Sequence, residues 1–274
     1  MREPAVSGTF YPSDKDRLAD MIDGYIKEAR LSHDIESAVS YIAPHAGYAY
    51  SGRTAAYAFA AILGKKDIEE IETFIVIGPN HTGAGRPIAV SMQDWKTPLG
   101  VVQNDKELSN TIAKAQGIDK DEAAHRDEHA IEVQLPFIKQ LFPDVRCCFI
   151  CMGDQRAGAA GLLSNAAINA IEATGRNAIV IASSDFNHYE SREVAARKDK
   201  PLFEQLEKMD LDRFYELKEN SHESACGYGP IATSLLYAKE MYSASKSILL
   251  HNSDSGDATE DTSSVVNYAS FAFC

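Results

Sequence analysis

The chain has 274 residues, 45% of them hydrophobic and 24% charged, with a formal net charge of −13. This composition supports a buried core and excludes bulk disorder, while the acidity, with no basic run to offset it, argues against nucleic acid and anionic membrane surfaces as partners. No apolar stretch approaches the roughly 20 residues that cross a bilayer, and the start MREPAVSGTFYPSD lacks a basic segment followed by an apolar one, so no secretory signal is read and a cytoplasmic location is expected.

Residues 14–30 predict a helix, with Leu18, Met21, Ile22, Tyr25, Ile26 and Ala29 on one face and Ser13 as its N-cap. A strand is expected over 39–43 and a small-residue helix over 52–63. TFIVIGP (73–79) reads as a fully buried strand. Residues 83–103 read as loops with one or two short strands, followed by helices at 105–116 and 128–141, where Pro136 must kink or start the helix. Strands at 145–152 and 177–183 alternate with a helix at 157–173. Helices follow at 191–208, 211–218 and 230–242, and strands at 247–251 and 265–273, with SDSGDATED (253–261) as a loop between them. Buried strands alternating with helices predict a single α/β domain over 1–274. Its architecture is a three-layer sandwich around a mostly parallel central sheet.

The five cysteines, Cys147, Cys148, Cys151, Cys226 and Cys274, do not make a disulfide framework in a chain without a signal. Cys148 and Cys151 have C-x-x-C spacing, but they sit in the apolar run RCCFICMG with no second pair to complete a zinc site, so they read as core thiols.

Polar groups collect where strands end. YIAP is followed by His45, FIVIGPN by His81 and CCFICMG by Asp154. IVIASS is followed by Asp185, Asn187 and His188, and SILL by His251, Asn252 and Asp254. Open α/β sheets bind ligands at the carboxyl ends of their strands, so these groups predict one shared pocket. Glycines in PHAGY, NHTGAG and CGYGP fit tight pocket walls. None forms a dinucleotide fingerprint or a phosphate-binding P-loop. Cys226 precedes a helix expected to start near Pro230, where a thiol is reactive or metal-binding. His125 and His129 stand four apart, with Glu128 and Glu132 nearby. The order is not that of a zinc protease, and His129 is the stronger pocket candidate of the two. His33 and His222 read as surface or structural histidines.

Six segments, REPAVSGTFYP, APHAGYAYSG, GPNHTG, EHAIEVQLPF, SSDFNHY and ACGYGP, together resemble the Memo family, component B of the microbial AmmeMemoRadiSam system. The resemblance covers nearly the whole chain in one consistent order. It implies a fold like that of the class III extradiol dioxygenases, which hold Fe(II) with two histidines and a carboxylate. Carried over by motif, His45, His81 and Cys226 are the implied metal ligands. His188 takes the acid/base place with Asp185 beside it, and His129 lies near the pocket. The implied cofactor is a divalent metal, iron first, with copper or zinc as alternatives. The implied partners are a radical S-adenosylmethionine protein and an AMMECR-type protein, with a small molecule or peptide in the pocket. Cysteine in place of the carboxylate departs from the dioxygenase pattern and puts ring cleavage in question. Three readings stay open: a metal-dependent redox enzyme, a binding or accessory protein without turnover, and metal-free nucleophilic catalysis by Cys226.

Overall fold

A computed structural model of the chain describes residues 1–30, 35–221 and 225–274. His33 and His222 lie outside these residues. Helix α1 (Lys15–Glu28) buries Leu18 and Ile22 as its apolar face requires. Its cap is Asp14, which accepts from the Arg17 amide at 2.9 Å, and not Ser13; either residue can supply the oxygen an orphan helix N–H needs. Strand β1 (Ser40–Ala43) leads to α2 (Tyr48–Leu63), which starts four residues ahead of the expected Gly52. Strand β2 (Thr73–Pro79) is wholly buried. Short strands β3 (Ile88–Val90), β4 (Trp95–Thr97) and β5 (Gly100–Val102) precede α3 (Lys106–Ile112) and β6 (Asp119–Lys120).

The helix expected over 128–141 is shorter. A single 3-10 turn, Glu132–Gln134, enters α4 (Leu135–Leu141), and Pro136 sits in the first turn, where its missing N–H is not needed. Residues 128–131 stay irregular because the Glu128 carboxylate itself accepts from the amides of His129 and Ala130, a local competitor to the helical bonding pattern.

The second half follows the expected alternation: β7 (Arg146–Met152), α5 (Ala157–Thr174), β8 (Ala178–Ser183), β9 (His188–Glu190), α6 (Arg192–Glu207), α7 (Leu211–Ser221), α8 (Tyr228–Tyr242) and β10 (Ser247–Asp254). A four-residue helix, α9 (Gly256–Thr259), replaces part of the expected loop before β11 (Val265–Phe273).

The main sheet runs β10-β11-β1-β8-β2-β7-β3-β6, with β9 added on β11. Its centre, β1-β8-β2-β7, is parallel. The flanks are antiparallel where β11 meets β1 and β10, and where β3 meets β7. The short link between β10 and β11 permits only that arrangement, since parallel neighbours need a long crossover. Alternate residues of β2 serve two faces. Phe74 and Val76 pack with Leu18, Phe59 and Phe137 of α1, α2 and α4. Ile75 and Ile77 pack with Leu108 and Leu163 of α3 and α5. A further cluster joins α6 and α8 to the sheet through Leu202, Ile231 and Ile42. Helices therefore cover both faces of a mixed α/β structure with a mostly parallel central sheet.

Cys148 and Cys151 lie on opposite faces of β7, in different apolar clusters, so the C-x-x-C spacing makes no ligand pair. Both are buried thiols. Among the described residues no helix is long and apolar enough to cross a membrane.

Candidate metal and substrate pocket

Three parallel strands deliver the site by the same step. His45, His81 and Asp185 each stand two residues beyond the end of β1, β2 and β8. They line a cavity of about 830 Å³ with His129, His188 and Cys226. All six sequence-predicted site residues are thus brought to one pocket. Two of the five strand ends do not contribute. Asp154 pairs with Arg156 at 2.6 Å beside a separate hollow. His251 lies within β10, stacked on Tyr57 at 4.2 Å, with Nδ1 3.0 Å from Thr54 Oγ1. The strand runs on past residue 251, so its polar end arrives later than the sequence suggests.

The rings of His45, His81 and His129 touch one another, with centroids 4.6–5.4 Å apart. One ligand nitrogen from each lies within 4.8 Å of the others. Among the described residues this trio, and not the expected His45, His81 and Cys226, is the group whose donor atoms cluster that tightly. Cys226 stands next to it, with Sγ 3.1 Å from His45 Nε2.

Partners fix which nitrogen of each ring carries its proton. Ser183 Oγ donates to the Ala130 carbonyl at 2.7 Å, so its lone pairs must accept from Gln134 Nε2 and from His45 Nδ1, each at 2.9 Å. His45 therefore holds its proton on Nδ1 and turns an Nε2 lone pair toward Cys226 and the cavity. His81 Nδ1 lies 2.8 Å from Glu128 Oε1, a carboxylate that can only accept, so His81 likewise keeps Nε2 free. Metal-binding histidines are oriented in this way by a second hydrogen bond.

Glu128 is fully buried and was not singled out as a site residue in the sequence. It accepts from the amides of His81, His129 and Ala130 at 2.5, 2.8 and 2.9 Å. Burial alone would raise its carboxyl, but the His81 side chain and these amides overcome that and hold it at about 2. It remains an anion beside the histidines. Burial first, then the imidazoles of His129, His81 and His188, push His45 well below the usual histidine range. Burial also lowers His129, against the pull of Glu128. Both rings are neutral and able to bind a cation.

Cys226 and Asp185 are tied together. Sγ accepts from the Asp185 amide at 3.2 Å, and the Cys226 amide donates to the Asp185 carbonyl at 3.2 Å. Gly227 permits this closeness: a Cβ there would lie 2.5 Å from the Ser183 carbonyl oxygen, so only glycine lets the α8 start meet the end of β8. Burial pushes the Cys226 thiol up, with Asp185 adding to the effect. With His45 neutral, the pair is S–H···N and not thiolate–imidazolium. Asp185 Oδ1 accepts from the His45 amide at 2.7 Å, and burial pushes its carboxyl up to about 7.

The segment before α1 completes the site. Arg2 is buried, donates to Glu132 Oε2 at 2.6 Å and to the carbonyls of His125 and Glu128 at 2.7 Å, and lies 4.0 Å over the Trp95 ring. Glu132 also accepts from Ala5 N, Val6 N and Tyr11 Oη. These bonds carry Phe10 to the pocket, where its ring meets His129 at 4.9 Å. His125 packs against Trp95 with Nε2 3.2 Å from the Ala89 carbonyl, outside the cavity lining. Residues 123–129 are turn and irregular chain, so the i, i+4 pairing of His125 with His129 on a helix face does not form.

Comparison with known proteins extends over nearly the whole chain. The model of the family described as "Memo-like protein" matches residues 2–272. A "MEMO1 family protein" of Methanosarcina mazei is 38% identical over 98% of this chain and 97% of its own length. Proteins of the same name from Archaeoglobus fulgidus and Methanococcoides burtonii are 39% and 40% identical, over 100% and 98% of this chain and 99% and 98% of theirs. The chain belongs to the Memo-like family.

Proposed function

We propose that the pocket is a mononuclear transition-metal site of a redox enzyme acting on a small molecule, with His45 and His81 as two ligands and Cys226 or His129 as the third. The observation that carries this reading is the presetting of both histidines, whose Nδ1 atoms are engaged by Ser183 and Glu128, leaving Nε2 as the donor atom of two rings that line the cavity. The donor set of neutral imidazoles with one thiol suits iron first, and copper or zinc as well. Such a metal would supply a Lewis acid or a redox centre with room for a substrate beside it. His188 would carry a proton to or from the substrate, and Asp185, held at about 7 by burial, has the right protonation range to assist it. The resting Cys226 is a protonated thiol, which disfavours the metal-free nucleophile. We also read the fold as related to the class III extradiol dioxygenases. Ring cleavage does not follow from that relation, because Cys226 stands in the place of their carboxylate.

The width of the mouth favours a second reading. Tyr50 and Tyr189 are exposed at its rim, and water is not shut out, as it is at many sites of turnover. The same metal pocket would then serve an accessory protein that presents a bound group to a radical S-adenosylmethionine partner or an AMMECR-type protein. Metal analysis of protein purified without oxygen tests the shared part. We expect about one metal ion per chain in wild type and little in His45→Ala or His81→Ala. Equal, background metal in all three would end both metal readings. Turnover by the isolated chain that is lost in His188→Ala would favour the enzyme over the accessory protein.

A further inference from the structure

The end of β7 adds no lining group to the pocket, yet the side chain after Asp154 reaches the turn that carries Cys226. Gln155 Nε2 donates to the Cys226 carbonyl at 2.9 Å, and its Oε1 accepts from the Gly229 amide at 2.9 Å. A carbonyl only accepts and a backbone N–H only donates, so both ends of this carboxamide are committed and its orientation is set. The second bond also meets a need of α8. Its N-cap is Gly227, which has no side chain to offer the orphan amides of the first turn. Gln155 supplies the missing oxygen from another element, at the amide an N-cap side chain would reach. Glycine is unfavourable inside a helix, and at 229 it makes room for this approach: a Cβ there would lie 2.8 Å from the Gln155 Cα. The turn is thus gripped from two strand ends. After β8, Ser184 Oγ accepts from the Gly227 amide at 2.9 Å, and the Asp185 carbonyl accepts from the Cys226 amide at 3.2 Å. After β7, Gln155 takes the Cys226 carbonyl. Its own backbone is held in turn by α7, where Tyr215 Oη donates to the Gln155 carbonyl at 3.0 Å.

We propose that Gln155 is a positioning residue for Cys226, whose carboxamide fixes the turn that keeps the sulfur 3.1 Å from His45 Nε2. The proposal rests on the metal-pocket reading only for the use made of that sulfur. Two variants separate the grip on Cys226 from the capping of α8. Gln155→Met removes both hydrogen bonds. Gln155→Glu keeps an acceptor for the Gly229 amide, but its carboxylate has nothing to donate to the Cys226 carbonyl.

The test has two readouts, both at Cys226. The first is the sulfur-to-metal charge-transfer band of protein loaded with Co(II), which suits a site of histidine and cysteine. In both variants the band should weaken at full occupancy, with Co(II) affinity down about tenfold. The second is the rate at which iodoacetamide alkylates Cys226 in metal-free protein, read by peptide mass. It should rise about tenfold in both variants, as the turn opens more often without its hydrogen bonds. Gln155→Glu should keep the urea midpoint of wild type, since the cap of α8 survives in it. A Gln155 that served only the helix would leave both readouts of Gln155→Glu at wild-type values, and that result overturns the proposal. If wild type takes up no Co(II), or takes it up without a sulfur band, the reading of Cys226 as a ligand fails alone. The alkylation rate of Gln155→Glu then decides the proposal: about tenfold above wild type upholds it, and an equal rate overturns it.

Discussion

Glu128 holds two of the three clustered histidines at once, one through its ring and backbone and the other through its backbone. It is the carboxylate behind the site, 2.8 Å from His81 Nδ1 and 3.3 Å from His129 Nδ1. Replacing it with Gln puts an NH₂ group against an N–H that now finds an oxygen. It also frees His81 to turn or to change tautomer. Metal affinity in Glu128→Gln should fall about 10–100-fold, the usual effect of losing such a support, as read by competition with a chelator. Nitrogen chemical shifts of the His81 ring should show its proton no longer confined to Nδ1. An unchanged affinity with an unchanged tautomer would remove Glu128 from this role. His125 gives a different residue-scale expectation. Burial lowers it to about 4 from an ordinary 6.5, so protonation favours the unfolded chain. Its contribution to stability is complete above pH 6.5 and is lost as the pH falls toward 4. The group is fully buried, and the loss amounts to about 3 kcal/mol. In His125→Gln, urea unfolding across this window should lose one proton's worth of slope, about 1.4 kcal/mol per pH unit. A slope equal to that of wild type would mean that His125 does not titrate in this way.

At the scale of elements, the segment before α1 acts as a strap across the 125–132 loop. Its anchor is the ion pair of Arg2 with Glu132, whose side chains are 6% and 0% exposed. Removing one partner of a buried pair strands the other, at a cost of about 3–5 kcal/mol. Arg2→Ala should therefore lower the urea midpoint by that equivalent and weaken metal binding by releasing Glu128 and His129. Arg2→Lys should recover little, because one ammonium cannot reproduce the fork of bonds to Glu132 and two carbonyls. A midpoint within 1 kcal/mol of wild type for Arg2→Ala would show that the strap is decorative. The strap also marks a limit of what the sequence reveals. The main strands and helices were legible because continuous apolar, β-branched runs and the 3.6-residue apolar period are strong local signals, and the strand-end residues His45, His81, Asp185 and His188 were legible from topology. The placement of Cys226 was legible only in part, from a helix start and a family motif. Glu128, Ser183 and Phe10 were not legible as site residues, since their roles come from partners far away along the chain. The predicted 128–141 helix lost its first four residues for the same reason: a side chain took over amides that periodicity assigned to the helix. His251 was misplaced because the length of β10 is set by pairing with β11, which local sequence does not carry.

For the molecule as a whole, one feature of the sheet makes the site. Its central strands are parallel, so β1, β2 and β8 all end at the same edge, and a short turn of equal length after each puts a polar side chain there. The packed layers on both faces keep those ends rigid, which is what a constellation held by hydrogen bonds needs. The antiparallel β9 and β11 supply one wall of the cavity through His188, Tyr189, Val266 and Tyr268. The net charge of −13 lends no general attraction for anions, leaving recognition to the pocket. The central claim is that imidazoles of His45 and His81 bind a metal there. X-ray absorption at the metal edge of loaded wild-type protein tests it most directly. We predict a shell of imidazole nitrogens that is retained in His251→Ala and diminished in His81→Ala. A spectrum with oxygen ligands alone, or one unaltered by His81→Ala, would contradict it.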